Sequence, residues 1–254
     1  MKIGIIGIGH VGGTMVELFP NAKQYDPYKN LGTPEEINEC DISFICVPTP
    51  QAEDGHCDTS IVASILQWVN TPIIVIRSTI PVGFTESWSR ILNKHIVFQP
   101  EYYGETVAHP FADPHNRNWI TLGGHPDDCS KVADVYRTVF TSELIVNIVS
   151  ARTAELAKYM ENAFYATKVT FCNQFYELAE KLSVNYDQLR ETWLLDPRIS
   201  RDHTFVYKDN RGYGGSCLPK DMAAIRYQGE SRDINVDFLK SVESANRYFV
   251  GKNK

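Results

Sequence analysis

The chain lacks any run of about 18–20 consecutive apolar residues, the length a helix needs to cross a bilayer. It also lacks a basic excess: 25 Lys and Arg against 31 Asp and Glu leave a formal charge of −6 over 254 residues. A duplex-binding face is therefore excluded, since phosphate neutralisation needs clustered cations. The six cysteines (Cys40, Cys46, Cys57, Cys129, Cys172, Cys217) contain no CxxC pair, and the seven histidines no HxxxH, HxH or Cys/His cluster. No metal site is expected. A chain of this length buries enough core to do without disulfides. Glycines 4, 7, 9, 12 and 13 interrupt the apolar start, and no small-residue cleavage site follows, so the N-terminus reads as structure and not as a secretory signal. The composition thus points to a cytoplasmic globular protein with neither nucleic acid nor membrane as partner.

What is present is alternation. Short Ile- and Val-rich runs at residues 2–7, 42–47, 73–77, 96–98, 118–122 and 144–148 are too short for buried helices. Between them, residues 11–18, 60–69, 85–92 and 127–140 carry helical spacing. Near-continuous apolar strands alternating with helices imply an α/β, Rossmann-like, doubly wound parallel sheet covered on both faces. After residue 150 the texture changes. Residues 151–182 contain no Pro or Gly, and apolar residues recur at three- and four-residue steps, which predicts one helix roughly 45–50 Å long. Further helices are expected at 186–194, from Leu218, and at 236–249, with a polar loop at 198–216. The reading is a dinucleotide-binding domain over 1–149 and an all-helical domain over 150–254, with the long helix as spine and dimer face.

Gly7-Ile-Gly-His-Val-Gly12 is a G-x-G-x-x-G between a strand and a helix. Its glycines permit a tight turn and bring a pyrophosphate against backbone N–H groups at a helix N-terminus. Gly7, Gly9, His10, Val11 and Gly12 are accordingly cofactor-binding candidates. Asp26 lies 19 residues beyond Gly7, at the end of a second short strand, where a carboxylate holds ribose hydroxyls and repels a 2′-phosphate. The cofactor implied is NAD.

Cys217 stands in Gly212-Tyr-Gly-Gly-Ser-Cys-Leu-Pro-Lys-Asp221. The glycines allow a close ligand approach, and Pro219 suits a first helical turn. A helix N-terminus and Lys220 both favour the thiolate, the nucleophilic form; the competing reading is a buried structural thiol. Lys158 and Asn162, four apart on the long helix, share a face where they could stabilise an oxyanion, although such residues more often lie on solvated surface. Thr49, Thr79, Glu101 and Glu105 follow predicted strands, where parallel sheets bind ligands; turn chemistry is the alternative for each.

In order along the chain, GIGHVG (7–12), CVPTP (46–50), STIPVGFT (78–85), QPEYYGET (99–106), AELAKYMEN (154–162), DPRIS (196–200) and GYGGSCLPKD (212–221) resemble the UDP-glucose/GDP-mannose dehydrogenase family, the NAD-dependent nucleotide-sugar 6-dehydrogenases. The resemblance implies oxidation of a sugar C6 alcohol to a carboxylate with two NAD reduced. It implies that Cys217 captures the aldehyde as a thiohemiacetal and passes through a thioester. Lys158 and Asn162 would then stabilise oxyanions, Asp221 and Thr79 would position or activate water, and Glu101 would assist proton transfer. Val11, Asp26, Thr49, Thr79, Glu105 and Lys220 would contact NAD. Glu101, Lys158, Asn162, His203 and Gly214 would face the sugar, and Arg198 would serve the neighbouring subunit's site, which implies a homodimer.

This chain departs from the family in His10, where an aromatic is usual, and in Gly104, where Arg is usual. The segment between Asp26 and Ile42 is short. The third, nucleotide-gripping α/β domain of relatives has no counterpart in these residues. Two other readings stay open. One is a dinucleotide-binding dimer module, or half of a split enzyme. The other is a β-hydroxyacid dehydrogenase, which also pairs Lys and Asn on a long helix but needs no thiol.

Overall fold

The computed structural model describes residues 1–102, 113–140 and 143–253. Two compact units emerge: Met1–Pro50 with Cys57–Lys158, and Gln51–His56 with Tyr159–Lys254.

The first unit is built on seven strands in the order β2-β1-β3-β4-β5-β6-β7. They are β1 (Ile3–Ile6), β2 (Lys23–Tyr25), β3 (Ile42–Ile45), β4 (Ile73–Ile76), β5 (Ile96–Phe98), β6 (Trp119–Gly123) and β7 (Ile145–Val149). Every neighbouring pair is parallel except β5 and β6, which meet antiparallel through Phe98 and Gly123 alone. The expected doubly wound parallel sheet is present, with this one antiparallel meeting.

Helices α1 (His10–Leu18), α2 (Pro34–Asn38), α3 (Ser60–Trp68), α4 (Phe84–Leu92) and α5 (Pro126–Arg137) flank the sheet. All of β3 and β4 is buried. One face packs Ile5, Phe44, Val75 and Val97 with Met15 and Tyr136; the other packs Ile6, Ile45, Ile74 and Ile76 with Val62 and Leu66. Helix α2 is an addition to the sequence reading. Its signal was present: Thr33 and Glu36 form a reciprocal capping box around Pro34.

The long helix α6 spans Ala151–Lys181. Its start belongs to the first unit, where Ala154 joins the core and Glu155 bonds the head of α4. The second unit comprises the rest of α6 with α7 (Tyr186–Trp193), α8 (Cys217–Glu230) and α9 (Asp237–Val250). Ala166, Tyr213, Met222 and Val242 form its core. Helix α8 begins at Cys217, one residue before the expected Leu218. Among the described residues no helix is long and apolar enough to cross a membrane.

Candidate active site

In the first unit the strand order reverses between β1 and β3, which is where doubly wound sheets bind ligands. Gly7 sits at φ +84°, and a Cβ on Gly12 would lie 1.8 Å from the Gly7 carbonyl oxygen. Only glycine lets α1 leave the strand this tightly. Gly9 precedes α1 with no atom within 4 Å of a would-be Cβ, and α1 has no side-chain cap. Its leading N–H groups therefore suit a pyrophosphate. His10 is exposed and Val11 half-buried against the core.

Asp26 ends β2 as expected and is buried. Its carboxylate accepts the Ile8 N–H at 2.9 Å and the Tyr28 N–H at 3.0 Å. Lys29, which the sequence reading passed over, donates to the Ile8 carbonyl at 2.5 Å. Both side chains thus converge on the glycine turn, and the residues present fit an adenosine-bearing dinucleotide. No local motif marks Lys29; its role depends on a contact 21 residues back in the chain.

Thr49 and Thr79 lie at the carboxyl ends of β3 and β4, and the Cys57 thiol donates to the Thr79 carbonyl at 3.3 Å. Beside them Arg77 is wholly buried. It donates to the Gln99 side chain at 2.8 Å and to the Tyr136 hydroxyl at 2.7 Å, and pairs with the Glu101 carboxylate. Glu101 also accepts the Tyr102 N–H at 2.6 Å. The Lys158 ammonium stands 5.1 Å from the centre of the Tyr102 ring. Glu105 lies outside the described residues.

In the second unit, Asn162 and Asp221 are both buried, and the Asn162 amide donates to Asp221 at 2.5 Å. The other Asp221 oxygen accepts from Lys220 at 2.5 Å. The ammonium expected beside the thiol thus pairs with this aspartate. Cys217 is the exposed cysteine; the other five are buried. It occupies the first position of α8, with the Ser216 hydroxyl 3.6 Å away. Burial pushes the Cys46 thiol up to about 12 and Cys129 to about 11, so neither supplies a thiolate near neutral pH.

His203 stacks on Tyr165, centroids 4.2 Å apart, with its own backbone at φ +62°. Arg198 is exposed and held by Asp196 two residues away, through a fork of bonds from 2.5 to 3.1 Å. The three glycines of the thiol loop divide in purpose. A Cβ at Gly212 would meet Asn246 Oδ1 at 2.5 Å, so that glycine serves internal packing; Gly214 and Gly215 have nothing within 4 Å. Among the described residues, no group of three His, Cys, Asp or Glu side chains could hold a metal ion.

Residues 28–140 match the NAD binding domain of the UDP-glucose/GDP-mannose dehydrogenase family, and residues 152–248 match its central domain. A UDP-glucose 6-dehydrogenase of Rhizobium meliloti is 32% identical over 221 residues, covering 81% of this chain and 50% of the relative. The chain spans about half the length of the UDP-glucose 6-dehydrogenases it matches. Among solved structures, a UDP-glucose dehydrogenase from Pyrobaculum islandicum superposes with a TM-score of 0.83 at 26% identity, covering 97% of this chain and 68% of that one. A 3-hydroxyisobutyrate dehydrogenase from Mycobacterium tuberculosis gives 0.76 at 14% identity, covering 99% and 94%, a likeness of fold alone. Two consecutive domains of one family, matched in order with the thiol motif inside the second, carry the conclusion: this chain belongs to the UDP-glucose/GDP-mannose dehydrogenase family.

Proposed function

We propose that the protein oxidises the C6 alcohol of a UDP-glucose-like nucleotide sugar to the uronate in two successive steps, in the cytoplasm. The observation that carries this reading is an exposed cysteine at the first position of a helix, four residues before a buried aspartate held by Asn162 and Lys220. A single alcohol-to-carbonyl oxidation, such as a hydroxyacid dehydrogenase performs, has no use for that thiol.

NAD supplies the hydride acceptor for each oxidation; the glycine turn, Asp26, Thr49 and Thr79 would hold it. Cys217 then adds as thiolate to the C6 aldehyde, forming a carbon–sulfur bond and an oxyanion. Lys158 and Asn162 donate to that oxygen. Oxidation at the same carbon leaves a thioester. Water adds to it, the carbon–sulfur bond breaks, the thiol is regained, and the water's second proton passes to a carboxylate, Glu101 or Asp221. His203 and Gly214 line the sugar subsite.

The reading includes a homodimer. Leu156, Met160, Phe164, Phe171, Phe175 and Leu178 along α6, and Leu182 just past its end, are all exposed, an apolar stripe that a second copy of the same helix would cover. Arg198 would then serve the neighbouring subunit's site; its exposure and its fork of bonds to Asp196 support that reading.

The test is NADH formation with product analysis over a panel of nucleotide sugars. Cys217→Ser should cut uronate formation by roughly 10²–10⁴-fold or more, because a hydroxyl is a poor nucleophile near neutral pH. Uronate made at the parent rate by Cys217→Ser would end the mechanism. Turnover seen only with an added partner chain would mean a split enzyme, and one NADH per hydroxyacid would mean the β-hydroxyacid activity.

A further inference from the structure

The segment before Cys217 is gripped in an unusual way. Three consecutive backbone N–H groups each donate to an asparagine side chain: Arg211 to Asn253 at 2.6 Å, Gly212 to Asn173 at 3.1 Å, and Tyr213 to Asn246 at 2.7 Å. Two of the contacts are returned. Asn253 donates to the Arg211 carbonyl at 3.1 Å, and Asn246 to the Tyr213 carbonyl at 2.9 Å. A primary amide presents an acceptor and a donor side by side, so each asparagine stands in for a neighbouring peptide. Asn173 comes from α6, Asn246 from α9, and Asn253 from the residues after α9.

The Arg211 side chain reinforces the grip. It donates to Asn173 through Nε at 2.6 Å and lies 4.5 Å above Tyr176 and 5.4 Å from Phe249. Gly212, at φ +76°, has no space for a Cβ between Asn246 and Val250. Beyond Tyr213 the picture reverses. Gly214, Gly215 and Ser216 are exposed, and nothing approaches a Cβ position at either glycine. Glycines lose more conformational freedom on ordering than other residues. Gly214 and Gly215, with open space at both Cβ positions, take their path largely from the flanking segments, the asparagine grip before them and α8 after.

We infer that Asn173, Asn246 and Asn253 form a clamp that presets the thiol loop, making them positioning residues for Cys217. The inference rests on Cys217 being the nucleophile. The clamp holds the chain so that Cys217 enters α8 at its first turn, where the helix N-terminus favours the thiolate. The Ser216 hydroxyl lies 3.6 Å from the thiol, and Lys220 and Asp221 pair with each other three and four residues further along α8.

The experiment follows carbamidomethylation of Cys217 by iodoacetamide as a function of pH, read by intact mass, alongside uronate turnover. Asn246→Ala should raise the midpoint of the reactivity profile by about 0.2–0.7 units as the first turn of α8 loosens. It should lower kcat about 10- to 100-fold with KM for NAD unchanged. Asn246→Asp, which keeps the acceptor for Tyr213 and loses the donor, should fall between. Ser241→Ala, on the exposed face of α9, should match the parent. A folded Asn246→Ala protein with parental profile and turnover overturns the clamp. Should Asn246→Ala fail to fold by circular dichroism, Asn253→Ala replaces it: an upward shift supports the clamp and an unchanged profile overturns it. If Cys217→Ser turns over like the parent, the nucleophile reading falls on that result, while the alkylation profile still decides the clamp.

Discussion

Replacing Glu155 tests how the loop after Thr79 is held. Gly83, at φ +96°, precedes α4 and has no side chain to cap it. Glu155 performs that task from α6: its Oε2 accepts the Gly83 N–H at 2.5 Å and its Oε1 the Thr85 N–H at 3.0 Å. The carboxylate is fully buried, so each bond is charge-assisted and shielded from water. Such bonds contribute about 1.5–3 kcal/mol each. Glu155→Gln keeps one acceptor and turns an NH₂ toward the other N–H, so a net loss of about 2–4 kcal/mol is expected. At about 2–4 °C per kcal/mol for a unit of this size, the melting temperature should fall by about 4–16 °C. The opposing argument is desolvation: a buried carboxylate can cost as much as its bonds return. Thermal melts by circular dichroism decide between them. A Glu155→Gln protein melting within about 2 °C of the parent would refute the cap as a source of stability.

Three further outcomes are expected. Iodoacetamide near pH 8 should modify Cys217 alone, because burial raises Cys40, Cys46, Cys129 and Cys172 and keeps them as thiols there, and burial shields Cys57 from the reagent; peptide mapping that finds a second fast site would contradict this. NAD should bind better than NADP, and Asp26→Ser should narrow the gap in titrations of both cofactors, since the carboxylate would no longer repel a 2′-phosphate; an NADP affinity equal to that for NAD in the parent would overturn the assignment. Sedimentation at micromolar concentration should show a dimer, and Phe171→Asp should shift it toward monomer by setting a charge into the exposed stripe; a monomeric parent with full turnover would end the dimer proposal.

The strands and most helices were legible because their burial is near-complete on both sheet faces, and that demand writes Ile and Val into short runs such as Ile73–Ile76. The glycine turn and Asp26 were legible because a local backbone constraint fixes their spacing. Other parts were not. The antiparallel meeting of β5 and β6 depends on strand direction, which periodicity does not encode. Glu155, Arg77 and the three asparagines act across tens of residues. Their chemistry exists only once the chain has folded, as with Asn246 reaching Tyr213 33 positions away. Gly212 shows the converse error. Its residue type was read correctly as a demand for space, but the space is filled by Asn246 and Val250, not left for a ligand.

The seam between β5 and β6 bears on how the first unit comes together. Strands β6 and β7 pair over five residues and, with α5 between them, make a local βαβ piece, yet only Phe98 and Gly123 register it with the rest of the sheet. What fastens the piece is its helix. Tyr136 of α5 meets Phe19 edge-on at 5.5 Å and Phe44 at 6.1 Å, and its hydroxyl reaches Gln99 at 2.7 Å. The sheet is thus closed by an aromatic rivet driven through from one face, not by a continuous ladder. The alignment of the β6–α5–β7 piece with the first five strands therefore rests chiefly on one side chain, Tyr136, seated against Phe19, Phe44 and Arg77.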